Sequence, residues 1–144
     1  MDKKKVPVSL SIAQTLKAIE HAFRKSIQEL NLNLQPESFG ILMMAYYQDN
    51  LTQQDIAEMA KKDKSAVLRQ IDTLESNGLV QRMADVQDRR KNLIAITDSG
   101  KSVVGIIIRK ERALLETLSQ GVEQQEMETF IKVLLQLKGN AEKL

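Results

Sequence analysis

The chain has 144 residues, one histidine, no cysteine and a formal net charge of +2. That length holds one domain with a real core, while the lack of cysteine excludes disulfides, thiol switches and thiolate metal sites. So small a net charge announces no nucleic-acid partner, but its distribution is uneven: Lys61 to Lys91 holds eight basic and five acidic residues, and the remainder is acidic by one.

The segment Met1-Asp2-Lys3-Lys4-Lys5 has the basic start of a secretory leader, but Ser9, Ser11 and Gln14 interrupt the apolar run that would have to follow. No stretch approaches a membrane span, so a cytoplasmic protein without a membrane partner is expected. From about Ser9 to Leu30, Ile12, Leu16, Ile19, Phe23, Ile27 and Leu30 recur at helical spacings, which predicts a long amphipathic helix. Leu32-Asn33-Leu34-Gln35 is a short connection. Pro36 fits the first turn of a second helix, with Phe39, Leu42, Met43 and Tyr46 inward and Gln48-Asp49-Asn50 as its end.

The stretch from Leu51 to Gly100 organises the chain. Thr52 and Asp55 have the spacing of a capping box, and Leu51 and Ile56 flank it as a hydrophobic staple. A short helix is expected from Thr52, with Ile56, Ala57 and Ala60 inward. Lys61-Lys62 breaks the apolar pattern, and Asp63 caps a second helix. In that helix Val67, Ile71 and Leu74 share one face. Asn77-Gly78 stops it, glycine suiting the left-handed position past a helix end. Two short helices across a tight turn make a helix-turn-helix.

At about 100° per residue, Ser65, Arg69, Asp72 and Ser76 point away from the apolar stripe, flanked by Lys62, Lys64, Ala66 and Thr73. Small or hydrogen-bonding residues in the first turn, with an arginine one turn on, suit a helix that enters a DNA major groove. Ser65, Ala66 and Arg69 are candidates for base edges and Lys62 and Lys64 for phosphates; Leu68 is open between a thymine methyl and the core. The β-prone runs Leu79–Met83 and Asn92–Thr97 then flank a charged loop, which predicts a hairpin wing. Arg82, Arg89, Arg90 and Lys91 complete the candidate DNA-binding set. Asp85 and Asp88 could be paired acids or metal ligands, but the surrounding arginines make them ion-pair partners that fix the wing.

Thr97 can cap the next helix, expected to about Leu118, in which Val103, Val104, Ile106, Ile107 and Ile108 are apolar nearly all round. Such a helix must be covered on more than one side. After a break at Ser119-Gln120-Gly121, a last helix starts near Glu123 and carries Met127, Phe130, Ile131, Leu134, Leu135 and Leu137. This apolar surplus predicts a homodimer, with packing inside one monomer as the plainer alternative. The expected layout is a single domain over residues 1–144. Residues 1–34 and 101–144 form its dimerisation region, and residues 35–100 its DNA-binding lobe.

Leu79-Val80-Gln81-Arg82, Asp85-Val86-Gln87-Asp88-Arg89-Arg90 and Leu93-Ile94-Ala95-Ile96-Thr97-Asp98-Ser99-Gly100 resemble the wing signature of the multiple-antibiotic-resistance regulator (MarR) family. Leu51-Thr52 and Leu74-Glu75-Ser76-Asn77-Gly78-Leu79-Val80 also fit, and length and helix order agree with that family. The resemblance implies a mainly α winged helix-turn-helix of about six helices, with a small β-hairpin wing and dimerisation helices from both termini. It implies a transcriptional regulator, usually a repressor, bound as a homodimer to a pseudo-palindromic operator. Arg90 aligns with the arginine that enters the minor groove in relatives, Arg89 being the alternative register. Asp88 would hold Arg90, and Asp85 would hold Arg82 or Arg89. The resemblance further implies a crevice for a small aromatic or anionic effector, which His21, Phe39, Met43, Met44, Tyr46 and Tyr47 would line.

No catalytic constellation is legible. His21 stands alone, no HExxH pair occurs and no glycine-rich phosphate loop is present, so no enzyme, metal site or cofactor is expected. Two functions remain open: a regulator that binds double-stranded DNA, and a winged-helix protein-interaction module without DNA contact, since one fold hosts both. Arg69 and the arginine-rich wing tip favour the first.

Overall fold

The computed structural model describes residues 6–144 apart from Asn31, Asn33, Gln87, Arg89 and Arg90. Among the described residues are six helices and three strands. They are α1 (Val8–Gln28), α2 (Pro36–Tyr47), β1 (Leu51–Thr52), α3 (Gln53–Ala60), α4 (Lys64–Ser76), β2 (Val80–Ala84), β3 (Asn92–Ile96), α5 (Asp98–Leu118) and α6 (Gln124–Ala141). The chain divides into two compact units, Met1–Lys110 and Glu111–Leu144. No helix of the described residues is long and apolar enough to cross a membrane.

In the first unit the helix-turn-helix forms for local reasons. The Thr52 N–H donates to Asp55 Oδ2 at 2.8 Å and the Asp55 N–H donates to Thr52 Oγ1 at 3.2 Å, closing the capping box that starts α3. Leu51 and Ile56, the staple residues, are both buried. α3 ends with Lys61 in the left-handed region at φ 50°, where the Lys62 N–H reaches back to Ala57 O at 3.1 Å. α4 ends on Gly78 at φ 68°. There the Leu79 N–H bonds Leu74 O and the Gly78 N–H bonds Glu75 O, each at 2.9 Å, the two bonds of a Schellman stop.

The expected hairpin wing forms from β2 and β3, and a third strand joins it. The sheet is antiparallel with order β1-β3-β2, in register Leu51↔Ile94 and Arg82↔Ile94. The third strand, β1, comprises only Leu51 and Thr52, too few residues to display the alternation that marks a strand. Thr52 therefore serves both as a strand residue and as the cap of α3.

The main core joins Ile41, Leu42 and Ala45 of α2, Ile56 and Ala57 of α3, and Val67, Ile71 and Leu74 of α4 to Leu79, Val80, Ile94 and Val104. On α2, Phe39 and Leu42 are buried and Met43 packs against the core as expected, but Tyr46 is 41% exposed, and Ser38, Ile41 and Ala45 are also inside. Small Ala45 and polar Ser38 widen the inward face beyond what a hydrophobicity count marks. A second cluster gathers Ile27 of α1, Phe39 of α2 and Ile107 of α5, with Phe23 and Leu30 against it.

The start of α5 is fixed to the α4–β2 turn. Thr97 Oγ1 donates to Gly78 O at 2.6 Å and accepts from the Gly100 N–H at 3.0 Å, so Thr97 caps the helix as its position predicts. A Cβ at Gly100 would lie 2.1 Å from Leu79 O, so only glycine permits this approach. The outer face of α1 is open, with Ile12, Leu16 and Ile19 each more than two-fifths exposed. In the second unit, Glu126 Oε2 accepts from the Glu123 N–H at 3.0 Å at the start of α6. No residue of α6 is buried, and Phe130, Ile131, Leu134, Leu135 and Leu137 are exposed.

Candidate nucleic-acid interface

Asp63 sets the start of α4: its Oδ2 accepts from the Ser65 N–H at 2.9 Å and the Ala66 N–H at 3.2 Å. The Ala66 amide, together with Ser65, holds the Asp63 carboxyl below the ordinary carboxylate value. Two of the free amides at this helix end are thereby taken up within the chain, which leaves the side chains of the first turns to make outside contacts. Ser65 and Arg69 are exposed, Ala66 is half-buried, and Lys62 and Lys64 flank them in solvent. Val67, Ile71 and Leu74 are fully buried beneath that face. Leu68 is 40% exposed, so it belongs to the outward side and not to the core.

Arg82 has a different place from the other basic candidates. Its Nη2 donates to Asp72 Oδ1 at 2.5 Å, its Nη1 pairs with Glu75 Oε2, and its backbone N–H donates to Glu75 Oε1 at 2.9 Å. Partial burial works against the charged form, but the bonds to Asp72 and Glu75 outweigh it and hold the guanidinium above its ordinary pKa. The partners of Arg82 that the geometry displays are thus two acids of α4, whereas the sequence offers it Asp85, with Arg89 as the alternative partner of that acid. Sequence reasoning places Asp72 on the outward face and gives Glu75 no role. The only sequence clue is two acids one turn apart on the helix, followed by an arginine on the next strand.

At the wing loop, the Asp85 N–H donates to Lys91 O at 3.1 Å and the Lys91 N–H donates to Asp88 O at 2.9 Å. Lys91 also borders a cavity of about 510 Å³ with Thr52, Gln54, Asp55 and Glu58. Its charge helps lower the Asp55 pKa, behind the larger effect of the hydrogen bonds from Thr52. Arg89 and Arg90 lie outside the described residues, and with them the expected pairing of Asp88 to Arg90.

The six effector candidates occupy different environments. Phe39 is inside the second core cluster, and Met43 and Met44 pack against the main one. His21 is exposed, as are Tyr46 and Tyr47, whose rings meet edge-to-face at 5.0 Å between centroids. Among the described residues no group of three or more His, Cys, Asp or Glu could hold a metal ion.

A capped helix-turn-helix with an exposed, lysine-flanked second helix and an antiparallel wing is the architecture of a winged-helix DNA-binding protein. The MarR family profile matches residues 34–91, the stretch from the start of α2 into the wing loop. The chain is 27% identical over 100 residues to the uncharacterized HTH-type transcriptional regulator YdgJ of Bacillus subtilis (strain 168). That alignment takes in 69% of this chain and 61% of YdgJ, so the chain spans under two thirds of that relative. A crystal structure of MarR superimposes with a TM-score of 0.82 at 20% identity, covering 99% of this chain and 96% of MarR. CouR from Rhodococcus jostii RHA1, solved bound to p-coumaroyl-CoA, has the same fold at a TM-score of 0.75 and 22% identity, over 95% of each chain. The chain is thus similar to the MarR family over residues 34–91 and shares the winged-helix fold of its solved members.

Proposed function

We propose that the chain is a cytoplasmic repressor that occupies a pseudo-palindromic operator as a homodimer and leaves it when a small aromatic or anionic ligand binds. The observation that carries the reading is the outward face of α4. Ser65 and Arg69 are free to reach base edges, lysines stand ready for phosphates, and the buried stripe beneath holds the helix rigid. The exposed apolar faces of α1 and α6 support a second copy as their cover. A two-fold dimer presents its recognition helices to half-sites roughly 34–36 Å apart. In this reading Arg90, or Arg89 one place earlier, enters the minor groove beside the site, where a narrow groove concentrates negative potential. Asp88 holds that arginine, and Lys91 reaches the backbone.

The ligand part of the proposal draws on CouR, which holds an aromatic acyl thioester in the same fold. His21, Phe39, Met43, Met44, Tyr46 and Tyr47 are its candidate contacts, and the ligand must favour one conformation over the other to change DNA affinity. The test is selection of duplexes from a random-sequence pool by the full chain, followed by footprinting, light scattering and a salt titration. An inverted repeat bound by a dimer, with affinity falling steeply as salt rises, is the expected result. A single asymmetric half-site protected by a monomer overturns it. A panel of aromatic acids that moves neither thermal stability nor operator affinity removes the ligand part.

A further inference from the structure

β2 is an edge strand of the sheet, because β3 lies on one side only. Edge strands leave main-chain donors unpaired, and at Arg82 that donor is covered by Glu75 of α4 at 2.9 Å. The same residue sends both arms of its guanidinium to α4, one to Asp72 and one to Glu75. One residue of the wing thus makes three charge-assisted bonds to one face of the recognition helix. We propose that Arg82 is a positioning residue that locks the wing sheet onto the recognition helix and masks the Asp72 carboxylate that α4 would otherwise turn toward DNA. The proposal rests on the DNA-binding reading above.

Three physical points support it. First, a guanidinium is a planar fork that engages two acceptors at fixed angles, whereas an ammonium is a point charge without that geometry. Second, Asp72 lies about one turn beyond Arg69 on the outward side of α4, and a bare carboxylate there would repel phosphates. Arg82 neutralises it from within the chain. Third, β2 leads in sequence to the loop with Arg89 and Arg90. Its attachment to α4 therefore fixes the strand that delivers those residues relative to the base-reading side chains. Arg82 is only about a quarter exposed, which suits a lock better than a direct phosphate contact.

Coulomb's law alone predicts that Asp72→Asn with Glu75→Gln tightens DNA binding, since two negative charges leave and one cation is released. The lock predicts the opposite for a specific site. With full-length protein and the duplex that wild type selects, this double variant should lose about tenfold in affinity, the scale of one base-pair contact. A scrambled duplex should bind no more weakly than it does to wild type. Arg82→Lys keeps the charge without the fork and should show the same loss. Specific binding as tight as wild type in either variant overturns the lock.

Hydrogen exchange reads it without DNA. Amides of β2 should exchange faster in Arg82→Lys while those of α3 stay unchanged, and unaltered exchange in β2 overturns the proposal. Asp72→Asn alone leaves both Glu75 bonds and keeps the affinity comparison readable if the double variant melts. If selection returns no duplex site, the DNA reading fails while the exchange experiment still decides the lock.

Discussion

The helix-turn-helix and the last helix spend their apolar residues in opposite ways. In α3 and α4, Ile56, Ala57, Val67, Ile71 and Leu74 are buried, and every helix end is closed by a cap or a left-handed turn. In α6, Phe130, Ile131, Leu134 and Leu135 are no less apolar, yet each is more than two-fifths exposed. A segment that closes its own core is stable by its own contacts. A segment that leaves such residues open suits contact with a partner, because exposed apolar patches mark interaction sites. The first arrangement suits a rigid reading head and the second suits assembly, and substitutions in each should fail differently.

The largest effect is expected in the closed region. Ile71→Ala removes a fully buried side chain and should cost about 2–5 kcal/mol of unfolding free energy. It is measured by urea unfolding at fixed protein concentration. Leu134→Ala, at 43% exposure within a single chain, should cost far less in dilute protein and more as concentration rises, as the proposed cover by a second copy requires. Equal, concentration-independent losses at both positions would erase the contrast.

Next comes assembly. Phe130→Asp with Leu134→Asp places two carboxylates on the open face of α6 and should yield a folded monomer by light scattering. Operator affinity should fall on the order of a hundredfold, since the second half-site is no longer linked to the first. Helix content by circular dichroism should stay near wild type. A variant that remains dimeric would shift the interface away from α6.

At the reading head the effects are smaller and differ by residue. Arg69→Ala should weaken specific binding by about 1–3 kcal/mol and relax preference at one base pair. Lys64→Ala should weaken all duplexes alike and reduce the salt slope by about 1. Asp88→Ala separates positioning from charge in the wing: weaker operator binding supports its holding role, whereas tighter binding leaves only simple electrostatics. If Arg69→Ala and Lys64→Ala behave identically across sequences, α4 is not the helix that reads bases.

Much of this region was legible in the sequence because its signals are local. The Thr52–Asp55 box, the Asp63 cap, the Val67, Ile71 and Leu74 stripe and the Asn77-Gly78 stop each lie within about one or two turns, and each forms as expected. β1 was missed because two residues carry no period, and because its pairing with β3 spans some forty residues. On α2 only Tyr46 departs from the expected face, because it counts as apolar by composition while Ala45 and Ser38 take up the packing beside Phe39 and Leu42. The bonds of Arg82 to Asp72 and Glu75 were illegible for a different reason. An arginine among acids looks the same in sequence whether it faces DNA, solvent or its own fold.

The smallest effect tests whether the capping box carries part of the closure. Thr52→Ala removes the side-chain half of the cap on α3 and should cost about 1 kcal/mol near neutral pH. That cost should depend on pH. The hydrogen bond from the Thr52 hydroxyl is the leading reason that the Asp55 pKa lies below its ordinary value of 3.8, followed by the one from the Thr52 amide. A carboxylate whose folded pKa is depressed contributes stability above its unfolded value and loses it as pH falls through the folded one. In wild type this contribution is complete above the ordinary carboxylate value and drains away below it. In Thr52→Ala the depression is smaller, so less remains to be lost. The two unfolding curves should therefore stand furthest apart at neutral pH and converge as the pH is taken below 3.8. A gap that stays constant down through that range would mean that Thr52 stabilises α3 only through its hydroxyl on the Asp55 amide, without help from the charged carboxylate.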